Sequence, residues 1–577
     1  MEAGREEICQ VEPRKTVEIH LPDGRVFSGP RNVPIGDFFR KFEAIDGAPV
    51  VGAIVNEELR ELTYPIQMDA RVQPVTMRDA DGARIYRRSL TFLLEAVFIT
   101  IFKDAHLAVD HSVSSGGFFC DVIGRPQLNA EERRFLEEEM HRMVKADLPF
   151  EKKLVPLDEA VEYFKKSGHL DKVRLMNYRK KPTLVLYSLG GHRDYLHGYM
   201  VPSTGYLKWF DLVPAPGGFV LRYPRRHNGT KLLPVPKGTS LFDTFQQYGN
   251  WLERLGIENV SSLNDAISES RVREVILVSE ALHEQKIAEI AKKVADHYPE
   301  TRVVLIAGPS SSGKTTFSKR LSVQLLAQGL SPFPMEMDHY FINRDKTPLD
   351  ENGQPDFESL AALDTALLSD HLARLIGGEK VQLPVYNFKS GKREPGEIVR
   401  LGKEHVIIME GIHGLNPHLF SEMSAIKTFR IYVSALTQLN LDRQNRISTT
   451  DTRLIRRIVR DARERGYTAQ QTIQRWESVR RGEKNNIFPY QENADEMFNS
   501  ALVYELSALK ALAEPLLRQV PYGTTEYIEA KRLLAFLEWF LPLDIGLIPD
   551  NSILREFIGD SILKEFKLWD HYGKAQP

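Results

Sequence analysis

Eight consecutive residues carry the strongest chemical signal in the sequence: Gly308-Pro309-Ser310-Ser311-Ser312-Gly313-Lys314-Thr315, a Gly-x-x-x-x-Gly-Lys-Thr run. A loop of this kind turns its backbone N–H groups inward, and a helix starting at its end adds a positive terminus. Together they make a concave site for phosphate oxygens. Gly308, Ser310, Ser311, Ser312, Gly313, Lys314, Thr315 and Thr316 are therefore the expected contacts to a nucleotide's phosphates. Lys314 would reach the β- and γ-phosphates, and the Thr315 hydroxyl would bind Mg2+.

Such a loop works only between a buried strand and a helix, and both are legible here. The apolar run 303–307 precedes it, and a helical pattern continues through residue 328. Two further buried runs, 406–409 and 429–433, follow at distances that leave room for crossover helices. The pattern predicts an α/β fold, a parallel sheet flanked by helices. No guanine-reading Asn-Lys-x-Asp segment is present, which favours ATP over GTP.

The rest of the chain is organised around this region. Residues 16–77 alternate apolar and polar about the turn Pro22-Asp23-Gly24, with one helix expected at 37–42, a small β-rich module. Residues 85–226 read as an α+β domain with helices at 89–102, 130–146 and near 157–166. Pro234 and Pro236 mark a boundary before a helical connector, 237–299, with helices at 241–255 and 271–297. The P-loop domain then occupies 300–510, and a mostly helical extension occupies 511–577.

Bulk properties narrow the class. At 577 residues the chain exceeds what one hydrophobic core organises. Lys and Arg (76) nearly balance Asp and Glu (78), so no global positive field draws it to nucleic acid or an anionic membrane. Two cysteines, Cys9 and Cys120, exclude a disulfide framework and a Cys-rich zinc site and fit a reducing compartment. The N-terminus is acidic and lacks signal-peptide order, while Glu95, Glu538 and Asp544 interrupt the longest apolar runs. A cytoplasmic protein without a membrane span is expected.

Residues 303–499 resemble the uridine kinase and phosphoribulokinase family of P-loop kinases. Met337-Asp338-His339-Tyr340-Phe341 looks like that family's Asp-x-Phe-Tyr segment, which implies Asp338 as the base for the attacking hydroxyl. Asp356-Phe357-Glu358-Ser359-Leu360 and Leu363-Asp364 are similar to its Phe-Asp-x-Pro-x-Ala-Phe-Asp region and make Glu358 the acid for ribose hydroxyls. Leu383-Pro384-Val385-Tyr386-Asn387-Phe388 resembles Pro-x-Tyr-Asp-Phe, so Tyr386 and Phe388, with Arg393 beyond them, become acceptor contacts. Glu410-Gly411, after the second buried strand, is similar to the family's Glu-Gly and implies Glu410 as a second Mg2+ holder. Arg456-Arg457-Ile458-Val459-Arg460-Asp461-Ala462-Arg463-Glu464-Arg465-Gly466 resembles the family's arginine lid, from which Arg457, Arg460 and Arg465 would clamp phosphate oxygens.

This sequence departs from the family at Leu360 (proline), Gly391 (often a histidine) and Tyr467 (usually an arginine). The departures touch acceptor recognition and leave the transfer residues intact. The resemblance implies an ATP- and Mg2+-dependent kinase acting on a small-molecule hydroxyl, first the 5'-hydroxyl of a nucleoside. A non-nucleoside acceptor such as a sugar phosphate, or an RNA-linked regulatory ATPase, are the alternatives.

Residues 16–77 resemble a TGS domain, a β-grasp-like module, through Leu21-Pro22-Asp23-Gly24-Arg25. Residues 87–226 are similar to the second N-terminal domain of threonyl-tRNA synthetase, through Arg88-Ser89-Leu90-Thr91-Phe92, Gly116-Gly117-Phe118-Phe119-Cys120-Asp121 and His197-Gly198-Tyr199-Met200-Val201-Pro202. Arg88, Phe92, Leu196 and Met200 stand where that editing domain has its His and Cys centre, so editing chemistry is not expected. His192 and His197 read as solvated surface histidines. This half could bind RNA or a regulatory nucleotide, or serve only to hold the protein together, and self-association into a homo-oligomer is left open.

Overall fold

A strand buried on both faces presents no polar side to water, and Val303–Ala307, buried at every residue, accordingly runs through the middle of a parallel sheet. The computed structural model describes residues 12–40, 47–113, 115–234, 240–349, 353, 355–420, 427–437 and 439–566. Cys9, Pro236 and the tail expected to be helical at 567–574 lie outside the described residues. The chain forms two compact units: Met1–Ser167 with Lys181–Pro236 and Pro521–Ile528, and Gly168–Lys180 with Lys237–Val520 and Glu529–Pro577.

In the second unit the sheet order is Ser331–Glu336, His405–Glu410, Val303–Ala307, Thr428–Ser434, Glu496–Asn499, with every pairing parallel. Its carboxyl ends therefore open on one edge, where the P-loop leaves Ala307 and where ligands of such sheets bind. Three strands were expected, and five are present among the described residues. Ser331–Glu336 escaped notice because Pro332 and Pro334 break the apolar pattern, yet prolines that cannot donate to a ladder are tolerated at a sheet edge, which is where this strand lies. Glu496–Asn499, four residues long, is the opposite edge. A hairpin, Lys380–Asn387 with Lys392–Arg400, stands apart from this sheet. The helix Val272–Asp296 belongs to the same unit: its Glu280 and Glu284 pair with Arg320 of the P-loop helix at 3.4 and 2.7 Å.

In the first unit, Thr16–His20 pairs antiparallel with Val26–Pro30 and parallel with Ala70–Thr76, the centre of a five-stranded sheet over a short helix, Ile35–Phe39. The next helix, Ala80–Ile101, starts nine residues before the apolar stripe that announced it, because its first turns carry Arg84, Arg87 and Arg88. Gly82 is needed there: a Cβ would lie 1.9 Å from the Thr76 carbonyl oxygen. Ala130–Ala146 and Leu157–Lys166 form as expected, the former through a capping box of Asn129 and Glu132. They flank a four-stranded antiparallel sheet and a three-stranded one, Glu151–Pro156, Thr183–Leu189, His192–Asp194.

Two polar side chains of this unit sit elsewhere than the sequence suggested. Glu95, an interruption in an apolar run, is 1% exposed within the core. His192 is no surface histidine: its side chain is 7% exposed, 3.5 Å from Glu95, and its ring packs on Phe92 with centroids 5.3 Å apart. Strand alternation puts His192 and Asp194 on one face, and Asp194 is itself buried, so that face is the inner one. Cys120 is buried with its thiol pushed up to about 12, so it behaves as a small apolar residue. Among the described residues no helix is long and apolar enough to cross a membrane.

Candidate active site

The P-loop is held by close packing at both glycines. A Cβ on Gly308 would lie 1.9 Å from the Val433 carbonyl oxygen, and Gly313 has φ +84° and faces Ile553. Ser311 also takes a left-handed conformation, φ 59°. Two arginines and a serine fasten the loop: Arg453 Nε donates to the Ser310 carbonyl at 2.9 Å, Arg456 Nη1 to the Ser311 carbonyl at 3.4 Å, and the Ser500 hydroxyl to the Ser312 carbonyl. Arg456 is fully buried and paired with Glu505, so it is a structural member of the arginine series.

Two loop amides already have carboxylate partners. Ser310 N–H donates to Glu483 Oε1 at 2.9 Å, and Thr316 N–H, at the start of the helix, donates to Glu556 Oε2 at 3.1 Å. Neither carboxylate is legible as a site residue. Glu483 comes from the helix Ala469–Asn486 and also pairs with Arg453; Glu556 comes from a four-residue turn of helix, Arg555–Ile558, in the C-terminal extension. The tail reaches the loop through Ile553 as well, and Lys319 Nζ donates to the Leu563 carbonyl at 2.6 Å.

On the open side the expected polar groups converge. The Thr315 hydroxyl donates to Glu410 Oε1 at 3.0 Å, joining the P-loop helix to the end of the neighbouring strand. Burial pushes the Glu410 carboxyl up to about 7, with Lys314 pulling the other way. An aligned hydroxyl and carboxylate form the oxygen donor set that a small hard cation takes, so Thr315 and Glu410 fit Mg2+. Asp338 occupies the turn Met337–Tyr340 directly after the edge strand. Solvent reaches its carboxyl although protein surrounds most of it; that enclosure raises its pKa, Glu336 adds to the rise, and Lys314 and His339 oppose it. A cavity of about 220 Å³ lies beside these groups, lined by Thr315, Lys319, Glu336, His339, Tyr340 and Glu410.

The arginine lid divides. Arg457 Nη1 donates to the Ser310 hydroxyl at 2.7 Å and its Nε lies 3.2 Å from Asp461, so it touches the loop. Arg460 and Arg465 turn to Asp461 instead, at 2.9 and 3.6 Å, with Arg465 half exposed. The wide helical turn Asp461–Arg465 ending at Gly466, φ +67°, lets these three guanidinium groups share one carboxylate. Arg453 and Arg456 were passed over in the sequence, since nothing in a run of arginines says which ones face inward.

The acceptor side gathers aromatic rings. Phe341, Phe357, Tyr386 and Phe388 pack edge to face with centroids 5.1 to 6.5 Å apart. Tyr386 is 2% exposed and Phe388 is 55% exposed, so only the second presents a face to solvent. Glu358 lies against Gly482, where a Cβ would approach its Cγ to 2.6 Å. Its carboxyl is pushed up to about 7, first by burial and then by Glu483, Asp356 and Asp338. Arg393 donates to Asp364 at 2.9 Å and its own N–H to Asn343, which ties the hairpin to the preceding loop.

Residues 303–506 match the model of the Phosphoribulokinase / Uridine kinase family. The N-terminal half is similar to threonine–tRNA ligases: that of Desulforamulus reducens is 32% identical over 187 residues, 32% of this chain and 29% of that protein. That of Acidovorax ebreus is 29% identical over 242 residues, 41% and 37% of the respective lengths. The chain thus spans about a third of the length of these curated relatives. Solved structures similar to it include one titled a "possible uridine kinase" from Bacillus stearothermophilus, 25% identical over 26% of this chain and 79% of that one, TM-score 0.22. Another is D-glycerate 3-kinase from Cryptococcus neoformans, 19% identical over 37% and 89%, TM-score 0.27. Residues 303–506 of this chain thus match the Phosphoribulokinase / Uridine kinase family, and they follow an N-terminal half similar to threonine–tRNA ligases.

Proposed function

We propose that this protein transfers the γ-phosphate of ATP to a hydroxyl of a small molecule, the 5'-hydroxyl of a nucleoside in the reading its family favours. The observation that carries it is that Thr315 and Glu410, hydrogen-bonded at 3.0 Å, line one cavity at the carboxyl edge of the sheet, with Lys314 close enough to both Glu410 and Asp338 to oppose the rise in their pKa. In the reaction the acceptor oxygen bonds to the γ-phosphorus as the bond from that phosphorus to the β,γ-bridging oxygen breaks. The hydroxyl proton passes to Asp338, whose raised pKa suits a general base. Lys314 and the loop amides hold the phosphates, and Arg457 approaches them from the Ser310 side. Thr315 and Glu410 would hold Mg2+, which when bound neutralises charge on the phosphate oxygens. Positioning and electrostatics supply most of the rate.

The aromatic cluster with Phe388 exposed supports a flat ring as part of the acceptor, and Glu358 beside it supports a polyol. An ADP-release assay with ATP and Mg2+ against nucleosides, sugar phosphates and bulk tRNA tests this reading. Release driven by one nucleoside and lost in Asp338→Asn supports it. Stimulation by tRNA alone replaces it with an RNA-linked ATPase.

A further inference from the structure

The N-terminal unit holds a cluster that phosphoryl transfer does not use. Glu95, in the fifth turn of the helix Ala80–Ile101, faces His192 and Asp194 of the strand His192–Asp194, and one donor atom from each lies within 4.8 Å of the other two. The hairpin makes the meeting possible. Thr183–Leu189 and His192–Asp194 pair with Leu189 opposite His192 and Tyr187 opposite Asp194, across Gly190-Gly191, both at positive φ. That turn places two inward residues of a three-residue strand over the helix.

The geometry points to a divalent first-row metal site in the class of Zn2+ and Mn2+, with Glu95, His192 and Asp194 as its protein ligands. Zinc–nitrogen and zinc–oxygen bonds of roughly 2.0–2.2 Å, arranged tetrahedrally, set neighbouring donor atoms about 3.3–3.6 Å apart. His192 Nε2 and Glu95 Oε2 are 3.5 Å apart, the spacing of two such ligands. The third donor lies at most about 1.3 Å beyond that edge, which a small side-chain rotation closes. One imidazole with two carboxylates is a borderline-to-hard donor set, suited to Zn2+ or Mn2+ rather than Cu+. Three protein ligands leave a coordination position for water.

The surroundings resemble those of a built ligand set. Glu95 and Asp194 are each 1% exposed, and the Phe92 ring, 5.3 Å from that of His192, fixes the imidazole plane. Tyr195 N–H donates to Asp194 Oδ1 at 2.8 Å, which sets the carboxylate's orientation. Gly191 and Arg193, on either side of His192, are exposed, so the site lies a single layer beneath the surface. It is also a different residue set from Arg88, Phe92, Leu196 and Met200, the positions that correspond to the editing centre of the synthetase domain; Glu95 stands about one helical turn beyond Phe92.

The test uses the full chain, stripped with chelator and then dialysed against Zn2+, Mn2+ or Co2+. Elemental analysis should find about one retained ion per chain, and Co2+ should give visible d–d absorption of a low-coordinate site. Glu95→Gln, His192→Gln and Asp194→Asn should each weaken binding more than about 100-fold, beyond the 10–100-fold typical of losing only a ligand's supporting partner. ATP binding should stay unchanged. If the wild-type chain retains none of the three ions and shows no cobalt band, the cluster is a buried imidazole–carboxylate group alone and the proposal fails. Retention that all three variants preserve places the ion elsewhere and also refutes it. Should a variant not fold by circular dichroism, the wild-type cobalt spectrum and stoichiometry decide.

Discussion

Glu556 holds the Thr316 N–H that a nucleotide phosphate would otherwise take, so its removal should tighten nucleotide binding. A hydrogen bond from an amide to a charged carboxylate contributes about 1.5–3 kcal/mol. Glu556 is only half-buried, and solvent screening favours the lower end, about 1.5 kcal/mol. ATP arriving at the loop must displace this contact and approach a like charge, so Glu556→Ala should lower the ATP dissociation constant by about tenfold. Glu556→Gln, which keeps an acceptor without the charge, should fall between. Titration calorimetry with ATP and ADP at two salt concentrations reads the effect, and the wild-type penalty should shrink as salt rises. Glu556→Ala binding ATP as weakly as wild type, at an unchanged melting temperature, would refute the reasoning: the carboxylate would then support the loop rather than compete with phosphate.

Three further outcomes follow from the site. Asp338→Asn should reduce kcat by about 10²–10⁴-fold while leaving ATP affinity within about twofold, since the amide keeps the shape and loses the base; stopped-flow turnover with separate nucleotide binding checks this. Glu358, with a carboxyl near 7 in the folded chain against 4.5 when free, binds more protons folded than unfolded. Its contribution to stability is therefore intact below 4.5 and is lost as pH rises to about 7, up to about 3 kcal/mol; urea unfolding at about pH 5 and 8 should show this slope in the wild type and its loss in Glu358→Gln. Gly308→Ala, with a Cβ 1.9 Å from the Val433 carbonyl oxygen, should cost about 2–4 kcal/mol of stability and abolish nucleotide binding, measured by chemical denaturation and calorimetry.

Local order determined much of what could be read from residues alone. The P-loop declared itself because its chemistry is contiguous: strand, turn glycines, lysine and hydroxyl follow one another in the chain, and the buried run Val303–Ala307 has a pattern no solvent-facing element shows. The helices Ala130–Ala146 and Leu157–Lys166 were equally legible, since capping residues and amphipathic spacing are local properties. Composition, likewise, needs no fold to exclude a disulfide framework.

Tertiary structure decided which charges meet. Asp338, Thr315 and Glu410 come from separate elements, and only the parallel register that sets Ile306 opposite Glu410 brings the last beside the P-loop. Arg456 and Arg457 are neighbours in sequence, yet one is fully buried on Glu505 while the other touches Ser310, because a helix turns successive residues by about 100°. Glu483 and Glu556 carry no motif, and they reach the loop from helices 173 and 240 residues away in sequence. His192 and Glu95 looked like a surface side chain and a break in an apolar run, and packing joined them in one buried cluster. Sequence specifies spacing along the chain, whereas electrostatic sites depend on distance across it, and that distance is set only when helices and strands pack.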